Sequence, residues 1–126
     1  MYANQLQAYR NVQKTTMSGR DIEASVLTQA ALKLQVCQSN WGAEGNDAKL
    51  DEAIQYNQRV WSIFQGELAK EDHPLPKKLR QDILSLSLFI DKRIYDILTS
   101  PSPEMLTAII SINLNLAAGL RGSPAA

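Results

Sequence analysis

Leu50, Ile54, Asn57, Trp61, Phe64 and Leu68 follow one another at intervals of 4, 3, 4, 3 and 4 residues. On an α-helix, with about 3.6 residues per turn, this alternation puts all six on one face. It is the spacing of a seam between packed helices. A strand cannot use it, because side chains there change face at every residue. A chain built around such a stretch must pack helix on helix, and it must find partners for the amide of Asn57 on the driest line.

The rest of the chain agrees with a helical reading. Alternating β-branched runs are nearly absent, while Ala, Leu, Gln and Lys, all good helix formers, abound. Breakers then cut the chain into segments. Ser18-Gly19-Arg20-Asp21 has the form of a capping box. SNWGAEGND, with its glycines and asparagines, reads as a loop. In EDHPLPKK two prolines stop one helix, and Pro76 is placed to be the first residue of the next. In SPSPE, Ser102 is placed as an N-cap and Pro103 as a first residue. Gly119 and Gly122 suit a helix end. The expected helices are 2–14, 19–40, 47–70, 76–99 and 103–118, with a frayed tail at 119–126. Short connections between them imply an all-α fold, a single-domain antiparallel bundle of about five helices. At 126 residues the chain suits one domain and buries enough surface to fold unaided.

Several faces carry more apolar surface than one seam needs. Tyr2, Leu6 and Tyr9 share a side of segment 2–14. Segment 19–40 has a stripe of Val26, Leu27, Ala30, Leu34 and Cys37, which Trp41 continues. Beside the seam of segment 47–70 lies a second line, Tyr56, Val60 and Ile63. Segment 76–99 has a main stripe of Leu79, Ile83, Leu86, Ile90, Ile94 and Ile97, a second line of Leu84, Leu88, Tyr95 and Leu98, and Phe89 on its polar arc. Either this helix lies in the middle of the bundle, buried on several sides, or its second line is open to a partner's amphipathic helix. Segment 103–118 repeats the motif of an amide in mid-stripe, with Asn113 among Leu106, Ile109, Ile110, Leu116 and Ala117, a stripe that Leu120 continues. A buried amide without partners costs about 1–3 kcal/mol. Asn57 and Asn113 are therefore expected to bond across to a facing helix and fix its register. The expected core is Leu50, Ile54, Asn57, Trp61, Phe64, Leu68, Ile83, Leu86, Ile90, Ile94 and Asn113. The candidate partner-binding residues are Tyr56, Val60, Ile63, Leu84, Leu88 and Tyr95.

The residues suggest no enzyme, and no catalytic, cofactor-binding or metal-binding residue is expected. No phosphate-binding glycine loop, HExxH or paired CxxC occurs. The sole histidine, His73, lies between Asp72 and Pro74 and reads as a solvated loop residue. Glu67, Glu71 and Asp72 lack the spacing of a calcium loop. Cys37, the only cysteine, reads as a small buried hydrophobe and suits a reducing compartment. Charges cancel at 13 against 13, so nothing global drives the chain toward nucleic acid. Lys77, Lys78, Arg80, Lys92 and Arg93 make a basic cluster without the aromatic residues that stack on bases. No secretory signal or membrane-length apolar run is evident, and the expected location is the cytoplasm.

Three segments resemble one family. MYANQLQAYRNVQKTTMSGRDIEASVLTQAALKL, LDEAIQYNQRVWSIFQGEL and INLNLAAGLRGSP are similar to the alphaproteobacterial flagellar biosynthesis regulator FlaF. The similarity runs through nearly the whole chain. It implies a small cytoplasmic protein needed for flagellin production and filament assembly. It further implies a chaperone-like flagellin binder that couples synthesis to export, working with a second regulator, FlbT. An alternative is post-transcriptional control of flagellin messenger translation, through RNA or through FlbT. Direct nucleic-acid contact and membrane insertion are not expected. The family has no established catalytic residues to carry over. The sign of regulation, the client flagellin and the oligomeric state stay open.

Overall fold

The computed structural model describes residues 19–122. Among them are four α-helices: α1 (Gly19–Ser39), α2 (Asn46–Leu68), α3 (Lys77–Thr99) and α4 (Thr107–Leu120). A 3₁₀ turn, Pro103–Leu106, leads into α4. The expected segment 2–14, the Ser18 side of the capping box and the end of the tail lie outside the described residues.

The breakers act within a residue or two of their expected places, with two exceptions. Pro76 is the N-cap of α3, with extended backbone, and its carbonyl accepts from Arg80 N at 3.0 Å. The last helix starts differently from expectation. Ser102 has extended backbone at the N-cap, but its side chain makes no capping bond, and the first turn winds as 3₁₀. Nor does Gly119 end that helix, which runs on to Leu120; Gly122, at φ +77°, is the glycine that leaves the helical region. Glycine is tolerated inside a helix but is needed only where φ is positive.

The central helix is α1. It packs most extensively against α4, and on another side against α2. Ala24, Ala30 and Ala31 are fully buried on α1, and such small side chains let neighbouring helices approach closely. Packed on α2 and on the 3₁₀ turn, α3 flanks the bundle instead of occupying its middle. Ile83, Ile90, Ile94 and Ile97 bury its inner face, while Leu88, Tyr95 and Leu98 remain more than half exposed. Of its expected main stripe, Leu79 is exposed and Leu86 only half-buried. Ser87 takes the buried place beside Leu86, with its hydroxyl donating to Leu84 O at 2.6 Å. A hydroxyl satisfied within its own turn can enter a core that a larger side chain would overfill.

Asn57 and Asn113, both fully buried, form one polar chain through the core. The Asn57 amide nitrogen donates to Ala30 O on α1 at 3.1 Å and to Ala53 O at 2.9 Å. Its oxygen accepts from Asn113 Nδ2 at 2.7 Å. The Asn113 oxygen in turn accepts from Trp61 Nε1 at 2.9 Å. Three helices are thus held in register by one network, and the indole can be fully buried because its N–H has a partner.

Two further side chains join helix ends. Gln38 Nε2 donates to Pro103 O at 2.8 Å and to Thr107 Oγ1 at 2.9 Å, tying the end of α1 to the start of α4. Arg80 Nη1 donates to Lys70 O at 2.6 Å and Leu68 O at 3.4 Å, covering carbonyls that the end of α2 leaves open.

Residues 103–120 reach a mean hydropathy of 1.2, enough by length and composition for a membrane span. This corrects the expectation that no apolar run reaches membrane length. The bundle uses part of that apolarity: Leu106, Ile109, Ile110, Ala117 and Leu120 lie in the core cluster, while a third of the stretch is buried.

Candidate functional site

Because α1 and α2 run antiparallel and are pinned at Ala30 and Asn57, the first turns of α1 lie beside the last turns of α2. Between them is an open groove of about 380 Å³. Its floor and walls are apolar: Ile22 and Val26 from α1, and Val60, Ile63 and Phe64 from α2. Val60 and Phe64 are mostly buried, whereas Ile63 is 60% exposed. Gly19 stands at the mouth, where a Cβ would meet nothing within 4 Å.

One end of the groove is polar. Glu23, Glu67 and His73 line it, brought together by α1, α2 and the loop after α2. Buried Leu75 anchors that loop, and its N–H donates to His73 Nδ1 at 3.2 Å. His73 is therefore a half-buried wall residue, not the solvated loop side chain that its neighbours suggest. Glu67 lies 3.2 Å from Lys70 in an exposed ion pair. No described residue gives the Glu23 carboxylate a hydrogen bond or ion pair within contact distance. Burial raises its pKa above the ordinary 4.5, the charges of His73 and Arg20 oppose that rise, and Glu67 adds to it.

The six candidate partner residues do not form one surface. Ile63 is exposed in the groove wall and Val60 is buried in its floor, which corrects the reading of Val60 as surface. Its place, four residues before buried Phe64, turns it toward α1. Tyr56 is half-buried away from the groove, with the Lys33 ammonium 5.1 Å from its ring centre. On α3, Leu84 is half-buried against the core, while Leu88 and Tyr95 are 69% and 67% exposed. Leu98 continues their line. Phe89 is covered in part by the Arg93 guanidinium, 5.3 Å from the ring centre.

Sequence reasoning missed Ile22 and Glu23. The signal was present as an acid set between Ile22 and Val26 on the side of a helix, but only the α2 partner shows that this side faces a groove. A second, shallower depression of about 260 Å³ lies between α1 and α2 near Cys37, lined also by Lys33, Val36 and Glu52. Lys33 and Glu52 approach to 3.7 Å across it. Burial pushes the Cys37 thiol up, with Lys49 opposing, so it is not disposed to be a nucleophile at neutral pH.

A family model described as flagellar protein FlaF matches residues 5–120. The match takes in all the described helices and both sides of the groove. The chain belongs to the FlaF family. Comparison with curated proteins and with solved structures returned no match. For a FlaF-family chain the site is thus an apolar groove with one charged end, and its described lining offers no Ser, Thr or Cys to serve as a nucleophile.

Proposed function

We propose that this FlaF-family protein binds flagellin as a cytoplasmic chaperone-like factor and couples flagellin synthesis to export and filament assembly. The observation that carries the reading is the open α1–α2 groove, whose apolar wall residue Ile63 the described residues leave 60% exposed. Amphipathic helical segments, such as the ends of unassembled flagellin, bury one apolar face and need such a groove to do so outside the filament. A binding role also fits a lining without a nucleophile, and it needs no cofactor or metal. FlbT, the second regulator, is a further expected partner.

Co-purification tests this reading. Ile63→Glu is expected to abolish retention of flagellin by the tagged protein and to leave the helical circular dichroism intact. Leu88→Glu, on α3 and outside the groove lining, is expected to leave retention unchanged. Loss with Leu88→Glu alone would move the site to α3 and reject the groove.

The alternative, translational control through direct RNA contact, draws on the basic residues of α3. Several of these are engaged already. Arg80 covers the end of α2, Lys78 pairs with Asp82 at 3.4 Å, and Arg93 lies over Phe89. That disfavours a phosphate-binding stripe. RNA retained by the purified protein, and lost steeply with added salt, would restore the alternative.

A further inference from the structure

The groove is asymmetric, and the asymmetry specifies what it takes. Along most of its length Val26, Val60, Ile63 and Phe64 offer only carbon. At the Gly19 end it offers two carboxylates and an imidazole. Glu67 already has Lys70 beside it, on the exposed side. Glu23 differs. It is half-buried against the apolar wall, and no described residue ion-pairs with it or donates to it.

A carboxylate in that position is costly to keep charged; the charges of Arg20 and His73 offset part of the cost, but no described residue contacts it. The raised pKa of Glu23, driven mainly by burial, has the same cause. A glutamine would fill the same space without the charge. Among the described residues, the missing element is a positively charged donor in contact with that carboxylate.

We propose that the α1–α2 groove binds a partner's amphipathic helix in one fixed direction, with a partner Lys or Arg seated on Glu23 at the Gly19 end. This rests on the groove being the flagellin site. The apolar residues of the partner helix, at i, i+3 or i+4 spacing, cover Ile22, Val26 and Ile63 above the buried floor of Val60 and Phe64. Its basic residue follows about one turn beyond, over Glu23, with Glu67 lending charge from the other wall. A cation between a half-buried carboxylate and a second acid makes a charge-assisted bond of the strong kind. A reversed helix would set apolar surface against Glu23 and lose that bond, so direction is selected by charge and affinity by the apolar wall.

The test measures flagellin affinity for the full chain carrying Glu23→Gln, Glu23→Lys or Ile63→Glu, with the melting temperature of each. Glu23→Gln is expected to weaken binding about tenfold. Glu23→Lys should weaken it further, and Ile63→Glu should abolish it. Glu23→Gln is also expected to melt no lower than wild type, which separates lost binding from lost folding. If Ile63→Glu abolishes binding while Glu23→Gln binds as wild type does, the cationic anchor is overturned and the groove reading stands. If Ile63→Glu binds normally, the groove reading falls, and the anchor falls with it.

Discussion

Asn113 serves two partners at once, accepting from Trp61 and donating to Asn57. Removing its side chain strands both a buried indole N–H and a buried amide oxygen, and it also leaves a small void. Each stranded group costs on the order of 1–3 kcal/mol. Asn113→Ala is therefore expected to lower stability by about 3 kcal/mol in urea denaturation, more than Asn57's surface neighbour Gln58→Ala, which should be near neutral. A destabilisation under about 1 kcal/mol would mean that water replaces the lost bonds. The need for this network was legible in the sequence, because two amides stood on apolar stripes. Its wiring was not. Ala30 presents only a backbone carbonyl, which no side-chain pattern reveals, and the Trp61 N–H could have been satisfied by many acceptors. Val60 shows the same limit from the other side. Periodicity placed it on a line with Tyr56 and Ile63, but burial depends on where α1 lies, and α1 covers Val60 while leaving Ile63 open.

At the level of elements, helix positions follow from breakers and helix burial does not. The loop between α1 and α2 turns on Gly42 and Gly45, at φ +84° and +79°. Gly45 is the N-cap of α2 and makes no side-chain cap there; its neighbour Asn46 instead donates from Nδ2 to Cys37 O at 3.1 Å, closing the loop onto α1. A Cβ at Gly45 would meet no neighbour within 4 Å, so the only penalty for alanine is the left-handed backbone. Gly45→Ala is expected to destabilise the protein by about 1 kcal/mol, with unchanged helical content by circular dichroism. An unchanged denaturation midpoint would show that the loop adopts another turn at no cost. The flanking place of α3 could not be read in this way. Two apolar lines on one helix fit a central helix as well as a peripheral one, and only the pairing of α1 with α4 decides between them. Residues 103–120, the most apolar stretch among the described residues, take the place beside α1 that a central α3 would have filled.

For the whole molecule, the groove sets stability against binding. Proteins commonly hold a strained or uncompensated group where a ligand must bind, at some cost to the free state. Glu23 is such a group, and pH makes its cost measurable. Its folded pKa lies above the ordinary value of 4.5, so between the two values the folded state holds more protons than the unfolded one. Stability then falls as pH rises through that window, and the full cost is present above the folded pKa. The charges around the carboxyl are Arg20 on its own helix, His73 on the loop and Glu67 on α2, of which only Glu67 adds to the rise. Glu23→Gln removes the titrating group altogether. The variant should be more stable than wild type at neutral pH, and the difference should shrink toward zero as pH falls to about 4. The gain is modest, because a half-exposed carboxylate is still partly solvated. Urea denaturation of both proteins from about pH 4 to pH 8 makes the comparison. A variant less stable than wild type at neutral pH would mean that the carboxylate holds the α1–α2 end together, and the groove's charged end would then serve the fold instead of a partner.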